Sequence, residues 1–211
     1  MDQLGGRYRE AMEILARARA MDRTNPELTY RLAVGYYFLG QVSEAEKACK
    51  ETLKLSPTYA SAYFLRGVIS LDQKRPELAA RDLKKAVSLN SDVSLFHREL
   101  GVVLFQDGKA AEARQELAQA LKLNSKDAEA YRWRAAVLSA EGARAEAIDD
   151  LNTAIALQPG DSQNYTALAR LYTEAGNTEL AQKTLAEQQK IKTASQSPSP
   201  HGILEAVPRL N

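Results

Sequence analysis

The chain repeats itself every 34 residues, and small residues mark the repeat most clearly. Gly6, Gly40, Gly108, Gly142 and Gly176 lie on one series with a step of 34, and Lys74 stands at the remaining term. Five residues after each term there is an alanine, at Ala11, Ala45, Ala79, Ala113, Ala147 and Ala181. A period between 20 and 50 residues indicates an array of stacked structural units, each burying its apolar face against its neighbours.

Two further columns of the repeat are apolar or small, except at Gln188 in the last repeat, and their spacing is helical. The first comprises Leu15, Cys49, Leu83, Leu117, Leu151 and Leu185, and the second comprises Ala18, Thr52, Ala86, Ala120, Ala154 and Gln188. Separations of three and four residues are typical of one face of an α-helix. Small residues let two helix axes approach closely while the leucines fill the space beside them. Each period therefore predicts a pair of helices.

The second unit shows the clearest helix start and stop signals. Asn25 is a good N-cap residue before a helix predicted over 26–39, and Gly40 supplies a tight turn. A second helix is predicted over 43–55, where Ser-Pro ends it. In the third unit Lys74 replaces the glycine but Pro76 opens the following helix, which predicts a turn of different chemistry.

Composition excludes several classes of protein. The net charge of +1 provides no basic surface for a phosphate backbone, so nucleic acid is not an expected partner. Cys49 is the single cysteine and can form neither an internal disulfide nor a thiolate cluster. No apolar run is long enough to span a membrane, and the first residues lack a secretion signal. We expect a soluble, by default cytoplasmic chain, or a periplasmic or secreted one if its natural amino terminus lies upstream.

The columns resemble those of the tetratricopeptide repeat family, whose 34-residue pattern combines a large aromatic, Leu-Gly, Tyr, Gly, Ala and Pro. The aromatic column reads Tyr63, His97, Tyr131 and Tyr165, with Thr29 departing; the Leu-Gly column reads Leu32-Ala33, Arg66-Gly67, Leu100-Gly101, Arg134-Ala135 and Leu168-Ala169; the Tyr column reads Tyr36, Ser70, Leu104, Leu138 and Tyr172. Arg66, Ser70 and Arg134 are clear departures. The resemblance implies an all-α fold, a right-handed superhelical solenoid of antiparallel helix pairs.

The period also predicts the boundaries of the repeats. Residues 1–25 are a partial first repeat that supplies only a second helix, five full repeats cover 26–59, 60–93, 94–127, 128–161 and 162–195, and residues 196–211 form a flexible tail. In the last repeat, Gln188 and Gln189 replace apolar residues and predict a polar cap. In the tail, Ile203, Leu204 and Val207 suggest a short docking peptide, with a disordered end as the alternative.

The partial first repeat carries an apolar stripe without a partner helix. The stripe consists of Tyr8, Ala11, Met12, Leu15 and Ala18. An uncovered apolar face favours association, so the chain is expected to be a piece of a longer protein or to self-associate through this helix. The alternative is that residues 1–5 shield the stripe.

In the resembled family, the first helices of successive repeats line a concave groove that binds protein segments. The resemblance places the following residues on that groove: Tyr30, Val34, Tyr37, Phe38, Phe64, Leu65, Val68, Leu71, Arg98, Glu99, Val102, Phe105, Arg132 and Trp133. We expect Tyr37, Phe64, Phe105 and Trp133 to be anchors, because large aromatic residues provide most interface energy. Arg98 and Arg132 are candidates to pair with a ligand carboxylate. For each ring the alternative is packing against a neighbouring helix.

Few residues could take part in catalysis or metal binding, and structural roles are favoured for them. No phosphate-binding loop or metalloprotease motif occurs, so neither a cofactor nor a catalytic site is predicted. His97 is expected to pack, Cys49 to be a small buried hydrophobe, and Asp149-Asp150 to be a solvated pair. Some related repeats bind the acidic tails of chaperones through a clamp of basic and Asn residues, and this clamp is absent here. Counted from the second unit, its positions are Tyr30, Val34, Leu65, Leu95 and Glu99; counted from the third unit, they are Phe64, Val68, Glu99, Glu129 and Trp133.

These observations predict a non-catalytic scaffold that binds an apolar or amphipathic peptide or helix in its groove. The alternative is a substrate-recognition arm of a larger enzyme, such as a glycosyltransferase, whose catalytic domain lies outside this chain.

Overall fold

The structure is a computed structural model that describes residues 3–195, with side chains described for 10–193. Across these residues the chain forms eleven α-helices and no strand. Their bounds are α1 Gln3–Met21, α2 Pro26–Phe38, α3 Val42–Leu55, α4 Ala60–Asp72, α5 Pro76–Leu89, α6 Ser94–Gln106, α7 Ala110–Leu123, α8 Ala128–Ala140, α9 Arg144–Leu157, α10 Ser162–Glu174 and α11 Thr178–Ser195. The all-α prediction is confirmed. None of the described helices has the length and apolar character needed to cross a membrane.

The chain divides between Ser125 and Lys126 into two compact units. In the first unit α2 pairs with α3, α4 with α5 and α6 with α7, while α1, α3 and α5 each also contact the helix that follows. In the second unit α8 pairs with α9 and α10 with α11, and α10 contacts both α8 and α9. Helices therefore pack as consecutive pairs, as the period predicts.

Helix starts and turns follow local chemistry with one exception. The Asn25 side chain accepts a hydrogen bond from the Glu27 amide at 3.0 Å, which confirms the N-cap. Gly40 has a φ of +71°, and Lys74 adopts the same left-handed conformation with a φ of +56°. The prediction of a different turn at Lys74 is thus wrong. Because the flanking helix pairs pack alike, lysine is held in a conformation that costs about 1–2 kcal/mol outside glycine.

The alanine column is buried in the helix pairs. Its five members from Ala45 onward are buried, at Ala45, Ala79, Ala113, Ala147 and Ala181. The glycines of the facing helix allow equally close contact with leucine, since a Cβ at Gly101 would lie 2.7 Å from Leu117 Cγ. Small residues therefore determine the approach of the two helices in each pair.

Two arginines that replace leucine in the repeat pattern are neutralised by buried aspartates. Arg66 Nε and Nη2 donate to the two carboxylate oxygens of Asp82 at 2.6 and 2.7 Å. The same pairing recurs between Arg134 and Asp150, at 2.7 Å for both bonds. Each guanidinium carbon also lies 5.4 Å from the centroid of a tyrosine ring in the aromatic column. These hydrogen bonds raise the pKa of Arg66 and of Arg134 above the usual range.

The second arginine pair corrects one prediction about charge. Asp149 is exposed, but Asp150 is buried against Arg134 and is not part of a solvated pair. The two carboxylates of neighbouring residues point in different directions on a helix, and packing with α8 covers only one of them.

His97 is buried and fully hydrogen-bonded in the intervening repeat. Its Nδ1 lies 2.6 Å from Glu116 Oε2, and its Nε2 donates to the Ser91 carbonyl at 2.9 Å. Glu116 occupies the repeat position of Asp82 and Asp150, so a carboxylate recurs while its partner changes between arginine and histidine.

The polar-cap prediction is wrong for Gln188 at the end of the repeats. Gln188 is buried, and its amide donates to the Ser162 carbonyl at 3.3 Å and to the Thr166 hydroxyl. Gln189 is exposed. The contact between α10 and α11 leaves space that the Gln188 amide fills with hydrogen bonds to α10.

One side of α1 packs on α2 and the other is exposed. The Met12 thioether occupies the space where a Cβ of residue 35 would lie, so Gly35 makes the close approach possible. Ala11 and Ile14 are exposed, while Leu15 is half-buried. The Tyr8 side chain lies outside the described residues, and so does the predicted docking segment of Ile203, Leu204 and Val207.

Candidate peptide-binding groove

The first helices of three pairs, α2, α4 and α6, present three rows of side chains in the first unit. The rows recur every 34 residues and comprise Tyr30, Phe64 and Arg98; Val34, Val68 and Val102; and Tyr37, Leu71 and Phe105. We call this surface the groove face. Because one antiparallel helix separates each of these helices from the next, all three run in the same direction.

Most of the predicted lining residues are partly open on the groove face. Phe38 is 53% exposed, and the half-buried members are Tyr30, Val34, Tyr37, Phe64, Val68, Leu71, Arg98 and Phe105. Leu65 and Val102 are buried, which removes them from the predicted lining. Leu65 belongs instead to a core cluster with Ala33 and Cys49, because its position on α4 points toward α2 and α3.

Two of the predicted aromatic residues also pack on a neighbouring ring. The Tyr30 ring lies 5.0 Å from the Tyr59 ring, and the Phe64 ring stacks on Phe96 at 4.8 Å. Such contacts hold one side of a ring in place while leaving part of the side chain accessible. Tyr30 and Phe64 therefore have a packing role while each side chain stays half-buried.

The carboxyl-terminal edge of the groove face combines aromatic rings with a carboxylate. The Tyr37 hydroxyl donates to Asp72 Oδ2 at 2.8 Å, and the Phe38 ring contacts the Tyr37 ring edge-on at 6.0 Å. Burial, the hydrogen bond to Asp72 and the nearby carboxylates raise the pKa of Tyr37 to about 12. Asp72 was missed as a lining residue, although it stands 34 residues after Phe38 and so shares its column.

The arginine of the groove face is already paired. Arg98 donates to Glu99 Oε1 from Nε at 3.1 Å and from Nη2 at 3.0 Å. A ligand carboxylate would have to compete with Glu99 for this guanidinium, so the structure does not favour the predicted role of Arg98.

The second unit contains the remaining two predicted residues, Arg132 and Trp133, on α8. The Arg132 guanidinium carbon lies 5.8 Å from the centroid of the half-buried Trp133 ring. Arg132 also donates to the Gln163 side chain on α10 and, at 3.4 Å, to Glu129. The two residues form a cation–π pair on one helix, supported by a polar contact from the next first helix.

Groups that could support metal or nucleophilic chemistry are sparse in the described part of the chain. It contains no cluster of three or more His, Cys, Asp or Glu side chains arranged to hold a metal ion. Cys49 is fully buried, and burial raises the pKa of its thiol to about 12. A protonated, inaccessible thiol is a packing residue rather than a nucleophile.

Curated proteins with similar sequence match less than half of the chain. RNA polymerase II-associated protein 3 of Mus musculus is 33% identical over 87 residues, covering 41% of this chain and 13% of that protein. The TPR repeat-containing protein MJ1428 of Methanocaldococcus jannaschii is 33% identical over 91 residues, covering 43% of this chain and 16% of its own length. The matched segments thus span a small part of these larger relatives.

Solved structures with the same fold match most of the chain. YrrB, described as a TPR protein with an unusual peptide-binding site, superimposes with a TM-score of 0.72 at 21% identity, over 86% of this chain and 94% of that one. Cut9 in complex with Hcn1 gives a TM-score of 0.77 at 23% identity, over 89% and 38% of the two chains. MamA gives 0.70 at 24% identity, over 78% and 96%. At these identities the likeness shows the fold alone.

Family models cover nearly all of the repeats. One model described as tetratricopeptide repeat matches residues 5–65 and 138–196, and a second with the same description matches 70–120 and 98–162. Together with the paired helices and the 34-residue period, these matches show that the chain belongs to the tetratricopeptide repeat family.

Proposed function

We propose that this chain is a non-catalytic scaffold that binds an apolar or amphipathic protein segment on its groove face. The tetratricopeptide repeat fold fits a role in protein–protein interaction, and proteins of this family bind protein partners. The peptide-binding site described for YrrB supports the use of this fold for peptides.

The observation that carries the proposal is the row pattern of α2, α4 and α6. Large side chains of the outer rows flank a central row of valines, and most of them are only half-buried within the first unit. Apolar area that stays accessible on a protein surface often marks an interaction site. The groove face therefore offers apolar area that a bound segment would remove from water.

The dimensions of the rows fit a helical partner that crosses the three helices. The outer rows lie seven residues apart on each helix, or about 10 Å, close to the diameter of an α-helix with its side chains. α2 and α4 contact each other directly as well as through α3. A segment that crosses both helices would therefore meet Val34 and Val68 in turn.

The proposal can be tested with peptides selected from a random 16-residue library displayed on phage. The strongest selected peptide is synthesised and titrated against the wild-type chain and against Leu71→Asp, which places a charge in an outer row. Binding to Leu71→Asp should fall at least about tenfold, since the variant buries an unpaired carboxylate. Ala118→Asp is the matched control, because Ala118 is exposed on the second helix α7.

The titration refutes the proposal if Leu71→Asp binds the peptide as tightly as the wild type and the Ala118→Asp control do, while circular dichroism shows that both variants are folded. It is also refuted if the library yields no peptide that binds the chain.

Trp133 provides a separate test in the second unit. It is the single tryptophan of the chain, so its fluorescence reports on its surroundings alone. If Trp133 is an anchor within its own unit, Trp133→Ala should weaken, by about 2 kcal/mol, the binding of a library peptide that changes the Trp133 fluorescence. A loss below about 0.5 kcal/mol, with the fold intact, would remove Trp133 from the binding surface.

A further inference from the structure

We infer that the carboxyl-terminal edge of the groove face, formed by Tyr37, Phe38 and Asp72, binds a basic side chain of the partner. The inference rests on the proposed function and specifies the chemistry of the partner. A segment that fits is apolar along one face and carries a lysine or arginine beside that face.

The first support is an exposed carboxylate that no cation neutralises. Asp72 accepts a hydrogen bond from Tyr37 and has no ion-pair partner among the described residues. Lys74, two residues further along in the turn, makes no ion pair with it. The other charges of the groove face occur in pairs of opposite sign, namely Arg31 with Glu27 and Arg98 with Glu99. Asp72 is therefore a carboxylate at this edge with which no cation of the described residues pairs.

The second support comes from the ends of the helices. The carboxyl termini of α2, α4 and α6 lie at the same edge, and none of the three has a basic residue in its last turn. Of the second helices in this unit, α3 and α7 carry Lys54 and Lys122 in their last turns, and α5 carries no basic residue there. A helix carboxyl terminus holds a partial negative charge of about half an electron, which attracts cations. Asp72 is the last residue of α4, so the carboxyl terminus of α4 adds to its charge.

The third support is the aromatic surface next to the carboxylate. The rings of Tyr37 and Phe38 lie edge to face, and Tyr37 is under the influence of the negative charges of both Asp72 and Glu99. A lysine or arginine can lay its apolar stem along aromatic rings while its charged end reaches a carboxylate. An acidic ligand residue would meet repulsion at the same place.

The experiment uses the full chain and the random 16-residue library. Peptides selected by the wild-type chain should be enriched in lysine or arginine next to apolar residues. The Asp72→Asn variant should bind the strongest of these peptides about three- to tenfold more weakly, as expected for loss of a charge-assisted contact. Replacing the basic residue of the peptide by norleucine should cause the same loss in the wild type and almost none in Asp72→Asn. Asp92→Asn is the matched control, because it removes an exposed carboxylate in a turn outside the groove face.

The outcomes separate this inference from the proposed function. Selection of acidic or uncharged peptides, or equal binding by wild type and Asp72→Asn, overturns the cation site. If Leu71→Asp still abolishes binding in that case, groove binding stands. Failure to select any peptide, or binding that Leu71→Asp does not change, overturns both.

Discussion

The coupled replacement of Arg66 and Asp82 tests the account of how this chain tolerates a charge in its core. Arg66 is 25% exposed and Asp82 is 9% exposed, and two hydrogen bonds join them. One period earlier, the same two positions are occupied by Leu32 and Ala48, both buried. We therefore expect Arg66→Leu with Asp82→Ala to restore an apolar packing that the fold already uses.

The single variants should be much less stable than the double variant. Arg66→Leu leaves the buried Asp82 carboxylate unpaired, and breaking a buried pair costs about 3–5 kcal/mol in the free energy of unfolding. Asp82→Ala should cost less, about 2–3 kcal/mol, because the longer Arg66 side chain can reach water. The free energy of unfolding of the double variant should be within about 1 kcal/mol of that of the wild type. The coupling energy between the two sites should then be at least about 4 kcal/mol.

Urea unfolding followed by circular dichroism at 222 nm measures these differences. Repeat proteins can unfold in stages, so hydrogen exchange of α4 and α5 should confirm that the change is local to this pair. Lys190→Ala serves as a control, since it breaks an exposed ion pair with Glu187 and should cost at most about 0.5 kcal/mol. If the double variant is as unstable as the sum of the single variants, the pair does not substitute for Leu and Ala, and the reasoning fails.

Three further predictions concern single residues. Lys74→Gly should raise the free energy of unfolding by about 0.5–1 kcal/mol in urea titrations, because glycine relieves the left-handed strain while adding freedom to the unfolded chain. Asn164→Leu should raise it by about 1–2 kcal/mol, because the buried Asn164 amide has no hydrogen-bond partner among the described residues. The Cys49 thiol should not react with a disulfide reagent at pH 8 in the folded protein, since burial raises its pKa to about 12, and should react fully in guanidinium chloride.

Each of these predictions has a result that contradicts it. Lower stability of Lys74→Gly would show that the lysine side chain stabilises the fold by more than its left-handed backbone conformation destabilises it. Lower stability of Asn164→Leu would show that the amide bonds to ordered water, and Asn152→Leu on the exposed side of α9 is its control. Reaction of Cys49 without denaturant would show that α3 opens readily from the core.

The local pattern of the sequence predicts the helices well. The Asn25 cap, the turn at Gly40 and the end of α3 at Leu55 agree with the structure to within a residue. These features depend on neighbours along the chain, so a single sequence contains the information needed. The repeat adds the pairing of helices, because the same small column recurs wherever two helices must approach.

The groove face is predicted less completely. The column positions place Tyr37, Phe64 and Phe105 on the right helices, but they do not show that Leu65 and Val102 are buried. They also miss Asp72, whose relevance comes from the Tyr37 hydroxyl one repeat away. The solvent exposure of each side chain and its hydrogen-bond partners depend on how each helix is rotated about its axis against its neighbours. The 34-residue period does not specify that rotation.

The sequence by itself determined the period, the all-helical architecture and the positions of the turns, because these arise from residue spacing and local backbone preference. Only the tertiary structure decided how the exceptions are accommodated. Arg66 and Asp82 lie sixteen residues apart, on opposite helices of one pair, and meet only because α4 packs on α5. Lys74 takes the conformation of a glycine because the same packing closes the turn around it. A charge or a strained residue is tolerated when its neighbours in space compensate for it, and those neighbours are set by packing.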